Sequence, residues 1–448
     1  MGLTVSHPTS AIRPPNLKFV ITSFGSLGDL NPYVGLGRSL QARGHEVVLA
    51  IPKYYVPYAE AAGLRGHAIR PDIDPEQRDV IRRIMRPFRG AEFLIREALM
   101  PHVEDAYADL DALVDDDDVV VSHPLTYAAP VLGERRGLRW ASSVLAPLGF
   151  FSRTDPPLMA VHPFYAAMHK RLPWAYSHFI PLAHIATRTW TPQVKVLRQR
   201  LGLPRGKDPV HGGQFSPFLN LAMFSRVLAE PQADWPAHTV VTGAVSYDAV
   251  HGGMSRELSA FLDAGPPPIV FTLGSAAVAA ASAPRFYQAS VEAAADLGVR
   301  SVLLIGQHDG HRPHVGPHSD AFVAEWAPHS ELFKRAAVVV HQGGAGTMHT
   351  ALASGRPMLV VPHSHDQGDN AVRAARLGVA RMLFPSQYRR AAVKAHLSDL
   401  LAEPSYIANA ARIGAAVGSE AGADNAAEAL EALGRRANPK QERVVPIP

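Results

Sequence analysis

Residues 326–370 of the 448-residue chain read WAPHSELFKRAAVVVHQGGAGTMHTALASGRPMLVVPHSHDQGDN, and this stretch decides how the rest is read. An apolar run, Ala336 to Val340, ends in His341 and passes into the turn Gly343-Gly344-Ala345-Gly346-Thr347. A segment from about Thr347 to Ser354 follows, stopped by Gly355 with Pro357 beyond it, and Met358 to Val361 is a second apolar run leading into His365-Asp366-Gln367. Short apolar runs bounded by turn residues predict buried parallel strands, and the segment between them predicts the crossover helix of a βαβ unit. That helix begins at the glycine turn. Its unpaired N–H groups and positive dipole end attract an anion, and the glycines let the backbone approach it closely. One helix end contributes only ~0.3–1 kcal/mol when exposed and up to ~2 kcal/mol when partly buried. His341, at the end of the preceding strand, is therefore expected to add a donor, and together they suit a diphosphate held without a metal.

At this length the chain exceeds what one core supports, which predicts two domains of about 200 residues each. Apolar residues make up 47 % and the mean hydropathy is -0.02, as in a water-soluble globular protein. The formal charge of +4, from 44 basic and 40 acidic residues, is too small and dispersed for nucleic acid as a partner. The absence of cysteine excludes thiolate nucleophiles, zinc–thiolate sites and iron–sulfur clusters. The first 17 residues lack a charged region followed by an apolar one and read as a disordered leader. No apolar run reaches the roughly 18 residues of a spanning helix. These features predict a cytoplasmic protein.

The N-terminal half repeats the same plan. Residues 17–23 predict a strand, Phe24 to Leu30 a loop containing Gly25 and Gly28, and Asn31-Pro32 a helix start. Glu46 to Ile51 is the next strand and ends without an acid to hold a ribose, so GSLGD here is not a dinucleotide fingerprint. Val119 to Val121 and Trp140 to Leu145 are further strands, the first leading into Ser122-His123-Pro124. The acid run Asp115 to Asp118 reads as a solvated loop, because consecutive acids point in different directions. From Ala146 to about Leu203 the pattern breaks into Pro, His and aromatic residues, too apolar for a linker, which suits either a pocket for an apolar ligand or helices packed over the first sheet. The fold class is thus α/β: two doubly wound, Rossmann-like domains facing across a cleft. The expected divisions are a leader at 1–17, an acceptor-binding domain at 18–235, a nucleotide-sugar-binding domain at 236–420, and a C-terminal helix with a frayed tail at 421–448.

With these residues laid out, the chain resembles the GT-B glycosyltransferases of the UDP-glycosyltransferase superfamily, family 1, from residue 18 to about 433. It is most similar to the bacterial enzymes acting on lipids and natural products. A likeness to rhamnosyltransferases of rhamnolipid synthesis runs through Ile21 to Ser26 with Gly28-Asp29, Gln232 to Trp235, Val270 to Ser275, and His365-Asp366-Gln367 with Asp369-Asn370. The resemblance implies that Trp326 and the Ala327 backbone face a nucleobase. It also implies that His341, Gly343, Gly344, Ala345, Gly346 and Thr347, with Ser275 and Gly28, surround a diphosphate, and that His365, Asp366 and Gln367 meet the donor sugar. His349 stands where many relatives have a glutamate for the ribose, and His329 where plant-type relatives have glutamine, which leaves uridine and thymidine donors both open.

Many relatives place a histidine base after the first strand and an aspartate partner after the strand that here ends at Val121. This chain has Asp29 and His123 at those positions. The implied chemistry is inverting, metal-independent transfer of a hexose from a UDP- or dTDP-sugar to a hydroxyl of a hydrophobic small molecule or lipid. Asp29 would be the base, aided by His123, and no cofactor beyond the nucleotide sugar is expected. A lipid-type acceptor would bring peripheral contact with a membrane. Two other readings stay open: a nucleotide-sugar epimerase of the same fold, which turns over without an acceptor, and a non-catalytic nucleotide-binding partner subunit.

Overall fold

A computed structural model describes residues 16–436 except for 88, 249–252, 281 and 308. The expected leader lies, but for its last two residues, outside the described residues, as does the expected tail at 437–448. The first sheet has strands β1 (Lys18–Thr22), β2 (Glu46–Ile51), β3 (Arg65–Ala68), β4 (Val119–Ser122), β5 (Arg139–Val144), β6 (Asn220–Ala222) and β7 (Thr239–Val241). Its order is β3-β2-β1-β4-β5-β6-β7, and every pairing is parallel. The second sheet has β8 (Ile269–Thr272), β9 (Ser301–Leu304), β10 (Ala321–Ala324), β11 (Val338–His341), β12 (Met358–Val360) and β13 (Ala380–Met382), in the order β10-β9-β8-β11-β12-β13, again all parallel.

Helices cover both faces of each sheet, so strand residues bury on both sides. Phe19, Val20 and Ile21 are all inaccessible, as are Val338, Val339 and Val340, which is why these strands read as continuous apolar runs rather than alternating ones. Each sheet reverses its winding direction once, between β1 and β4 and between β8 and β11. Ligands of doubly wound sheets bind beyond the strand ends at such switch points.

One expectation on organisation changes. The first sheet takes in Thr239–Val241, beyond the division expected at 235/236, because β7 pairs with β6 from Asn220↔Thr239 to Ala222↔Val241. The C-terminal helix Gly422–Gly434 packs against the first sheet rather than the second: Ala426, Ala427, Leu430 and Leu433 share a core with Phe19, Ile21 and Leu36. The acid run is a structural clasp at the foot of β1, where Lys18 Nζ lies 2.9 Å from Asp115 and 2.8 Å from Asp118. Among the described residues no helix is long and apolar enough to cross a membrane.

Candidate active site

At the first switch point the chain leaves β1 and turns through Gly25, at φ +134°, into Ser26, which caps the helix Leu27–Ala42. Asp29 stands at the third helical position, where its Oδ2 accepts from the Ser26 N–H at 2.8 Å and from Ser26 Oγ at 3.2 Å. The pair closes a capping box. The helix start expected at Asn31-Pro32 is therefore a turn too late, and Asp29 does act as a cap. Gly25 makes this possible, since a Cβ there would lie 2.3 Å from Asp29 Oδ2. Pro32, absorbed into the helix, has no N–H for the Gly28 carbonyl. That carbonyl lies only 3.3 Å from where a Cβ on Gly346 would stand, so the two domains meet at Gly28 and Gly346.

β4 delivers His123 beside Asp29. The His123 Nδ1 accepts the Leu125 N–H at 3.1 Å, which leaves the ring proton on Nε2, and Nε2 lies 4.0 Å from Asp29 Oδ1. The backbone N–H of His123 donates to Thr22 Oγ1 at 3.2 Å, Thr126 Oγ1 donates to its carbonyl at 2.8 Å, and Tyr33 packs edge-on to the ring. Burial pushes the His123 imidazole down to about 3, so near neutrality it is a neutral N–H group that does not take up a proton. Burial pushes the Asp29 carboxyl the other way, to about 6, against the lowering effect of the Ser26 hydrogen bonds. The side chain keeps 39 % of its surface open to the cleft, so water there moderates the shift without reversing it. The expected pair is brought together, and of its two members Asp29 is the one whose proton affinity burial raises.

At the second switch point β11 ends at His341, Gly343 turns at φ +89°, and Gly344 caps the helix Ala345–Ala353. A Cβ on Gly343 would lie 2.7 Å from Val360 Cγ1, so glycine is required. The first N–H groups of the helix lack intrahelical partners and crown the cleft. Ser275 is exposed at the adjacent turn after β8. Trp326 follows the edge strand β10, its indole 43 % exposed, while Ala327 is buried. A nucleotide reaching from Trp326 to the glycine turn would cross the ends of β9 and β8.

His341 departs from expectation. It is inaccessible, its Nδ1 accepts the Gly343 N–H at 3.1 Å, and its Nε2 abuts Met358 Sδ at 3.3 Å. With both ring nitrogens engaged inside the fold, it shapes the turn rather than presenting a donor to an anion. The next residue, Gln342, is buried beside the turn: its Nε2 donates to Thr347 Oγ1 at 3.2 Å and its Oε1 has no partner. Gly274, at φ +63°, leaves room for it, since a Cβ there would lie 2.3 Å from the amide. Sequence reasoning passed over Gln342 because the flanking histidine and glycines carried the anion argument.

Asp366 stands at the start of the helix Gln367–Arg376, and its Oδ2 accepts from Asn370 Nδ2 at 2.8 Å. Asn370 Nδ2 also donates to the Gly343 carbonyl at 2.9 Å, tying this loop to the glycine turn. The spacing of four residues between Asp366 and Asn370 was the available signal. Burial first, and then the charge of Asp29, push the Asp366 carboxyl up to about 7, while the Asn370 amide and the Ala345 N–H oppose the rise. Gln367 is buried, with Oε1 accepting the His363 and Ser364 N–H groups at 2.8 and 3.2 Å, so only the other end of its amide remains for a ligand. His365 is held at φ +54°, its Nε2 buried without a partner.

Of the two histidines at the expected nucleotide-reading positions, His349 has both ring nitrogens engaged within the protein. His349 donates from Nδ1 to the Ala345 carbonyl at 2.8 Å and accepts the Ser225 N–H on Nε2 at 3.3 Å, which stitches the second domain to the loop after β6. His329 stacks on Phe333 with ring centroids 4.6 Å apart.

Two facing doubly wound domains, with a helix N-terminus after a glycine turn on one side and an ionisable carboxyl on the other, define a GT-B glycosyltransferase. A family model for the C-terminal domain of erythromycin biosynthesis protein CIII-like proteins matches residues 288–433. The chain is 31 % identical to O-mycaminosyltylonolide 6-deoxyallosyltransferase of Streptomyces fradiae over 444 residues, covering 93 % of this chain and 97 % of that one. It superposes on the glycosyltransferase of kitacinnamycin with a TM-score of 0.69 at 20 % identity, and on VinC, solved in complex with dTDP, with 0.64 at 19 %. Each superposition covers 94 % of this chain and all of the other, and each speaks to the fold. The chain belongs to the bacterial natural-product glycosyltransferases of family 1, and it is an enzyme that transfers a sugar.

Proposed function

We propose that this enzyme transfers a hexose from a UDP- or dTDP-linked donor to a hydroxyl of a hydrophobic small-molecule or lipid acceptor, with inversion and without a metal ion. The observation that carries the reading is the Asp29 carboxyl in the cleft, its Oδ1 next to the His123 N–H and facing the domain that carries the glycine turn. The acceptor O–H gives its proton to Asp29 as its oxygen bonds to the anomeric carbon; the bond from that carbon to the diphosphate oxygen breaks on the opposite face. Neutral His123 stabilises the ionised base. The leaving diphosphate is held by the N–H groups of the helix Ala345–Ala353, Ser275 and the Gln342 amide, and a group so weakly basic needs no acid. Trp326 stacks on the base, and Asp366 with the Gln367 amide grips sugar hydroxyls.

The Streptomyces fradiae relative is a 6-deoxyallosyltransferase acting on O-mycaminosyltylonolide, which supports a hexose donor and a small-molecule acceptor. The dTDP in VinC supports a nucleoside diphosphate donor. The test is Asp29→Asn. Transfer is expected to fall by about 10²–10⁴-fold while nucleoside diphosphate binding, read by thermal shift, persists. Near-normal transfer would remove Asp29 as base, an axial-to-axial or equatorial-to-equatorial product by NMR would remove inversion, and loss of activity on chelation would remove the metal-free reading.

A further inference from the structure

Of the twelve large apolar side chains exposed among the described residues, six lie between residues 164 and 185. They are Phe164, Trp174, Phe179, Leu182 and Ile185, carried on the successive helices Pro163–Arg171, Pro173–Tyr176 and Phe179–Thr187, and Leu172 between the first two. Phe164 is 64 % and Trp174 71 % exposed. Beneath them the helices are well seated: Tyr176 is buried, packs edge-on to His169 and meets Phe179 at 5.8 Å. Scattered apolar residues on a surface need no explanation, but a cluster of this kind marks a contact.

Along this segment the chain's own charges have one sign, although Asp208, just beyond it, lies near His184. From Pro156 to Lys207 the chain has no Asp or Glu, and it has Lys170, Arg171, Arg188, Lys195, Arg198, Arg200, Arg205 and Lys207. Arg198 and Arg200 pair with acids of other segments, whereas Lys170, Arg171 and Arg188 are exposed and make no ion pair among the described residues. The nearest preceding acid, Asp155, is turned inward onto Arg373 and Arg376.

We propose that this face is a docking surface for an anionic lipid bilayer, on which the three helices lie with Phe164, Trp174, Leu182 and Ile185 entering the interface and Lys170, Arg171 and Arg188 meeting lipid phosphates. Aromatic and aliphatic side chains on short amphipathic helices, rimmed by bases, partition into that zone, and anionic headgroups add attraction for each base. A second copy fits less well, because a two-fold contact would bring the same unneutralised bases against each other. The strap that carries these helices is tied to the cleft through Leu158, whose N–H donates to Asp369 at 3.0 Å.

The full chain is sedimented with phosphatidylcholine vesicles and with vesicles in which part of that lipid is replaced by phosphatidylglycerol. Binding to the anionic vesicles is expected to exceed the other by roughly tenfold at low salt and to weaken as salt rises. Leu182→Glu/Ile185→Glu and Lys170→Glu/Arg171→Glu should each lower it severalfold, with the thermal midpoint and transfer to a soluble acceptor unchanged. Binding is read without turnover, so it stands or falls apart from the proposed reaction. Equal partition onto both vesicles, wild-type binding by both variants, or a dimer that Leu182→Glu/Ile185→Glu dissociates would each overturn the assignment.

Discussion

Gly25→Ala adds one methyl group and removes nothing, yet it should disable the enzyme through Asp29. The new Cβ would stand 2.3 Å from Asp29 Oδ2, whereas unbonded contacts settle near about 3.5 Å. The carboxyl must therefore retreat by roughly 1 Å, and it can do so only by giving up its hydrogen bonds from Ser26. A misplacement of that size costs about 10²-fold in rate. The backbone adds a separate term, since φ +134° is foreign to alanine and such strain costs on the order of 1–3 kcal/mol. Gly44→Ala separates the two: Gly44 sits at φ +92° with nothing within 4 Å of its absent Cβ, so that variant should lose stability and keep its rate. The assay is kcat with saturating donor and acceptor, alongside thermal shifts with a nucleoside diphosphate. Gly25→Ala should lose about 100-fold in kcat, retain nucleotide binding, and add little to the loss in an Asp29→Asn background. A kcat within about threefold of wild type, or a loss fully additive with Asp29→Asn, would refute the placement of the base.

The pH profile of kcat/KM should fall about tenfold per unit below about pH 6, because Asp29 must be ionised to accept a proton and His123, at about 3, does not titrate there; an acid limb near an ordinary carboxylate value would contradict this. Asp366→Asn should raise the thermal midpoint at pH 8 and leave it near wild type at pH 4 while lowering activity. A carboxyl whose folded pKa is raised favours the native state only while protonated, and that contribution is lost as pH rises to about 7. The full shift corresponds to about 4 kcal/mol, and water in the cleft reduces it to on the order of 1–2 kcal/mol. Arg373→Met strips the charge partner from Asp369, which is 1 % exposed, and should cost about 3–5 kcal/mol by denaturant unfolding, partly recovered by adding Asp369→Asn.

The sheets were legible because strands buried on both faces must be apolar throughout, and Val338 to Val340 or Phe19 to Ile21 have no other reading. The glycine turn was legible for a related reason, since only a close backbone approach explains so many glycines before a helix. What escaped depended on distances between segments far apart in the chain. Ser26 and Asp29 form a capping box whose spacing was readable, but Asn31-Pro32 offered a competing start that local rules favour equally. His341 has the right position for an anion donor, and only Met358, from the next strand, shows that its ring points into the core. His349 likewise looked open until Ser225 of the other domain occupied its Nε2. The path of the last helix back to the first sheet left no trace in its own alanine-rich sequence.

Under the proposed mechanism the two carboxyls of the cleft are not interchangeable, and their surroundings say why. A base must be ionised at the working pH, whereas a group that grips sugar hydroxyls serves in either form, as acceptor when charged and as donor when protonated. Asp29 is pushed up less, because the Ser26 N–H and hydroxyl favour its charged form. Its charge is then the second largest cause, after burial, of the rise at Asp366. Ionisation thus proceeds in order, Asp29 first, and the first charge holds the second proton in place. As pH rises, charge builds first on the side of the first domain, ahead of the acid beside the helix end that the diphosphate must reach. A charged Asp366 at that point would hold the Ala345 N–H against the anion more strongly than a protonated one, whose carbonyl oxygen is the weaker acceptor. Under the proposed mechanism this order of ionisation serves both steps, charging the base for the acceptor before its neighbour at the donor.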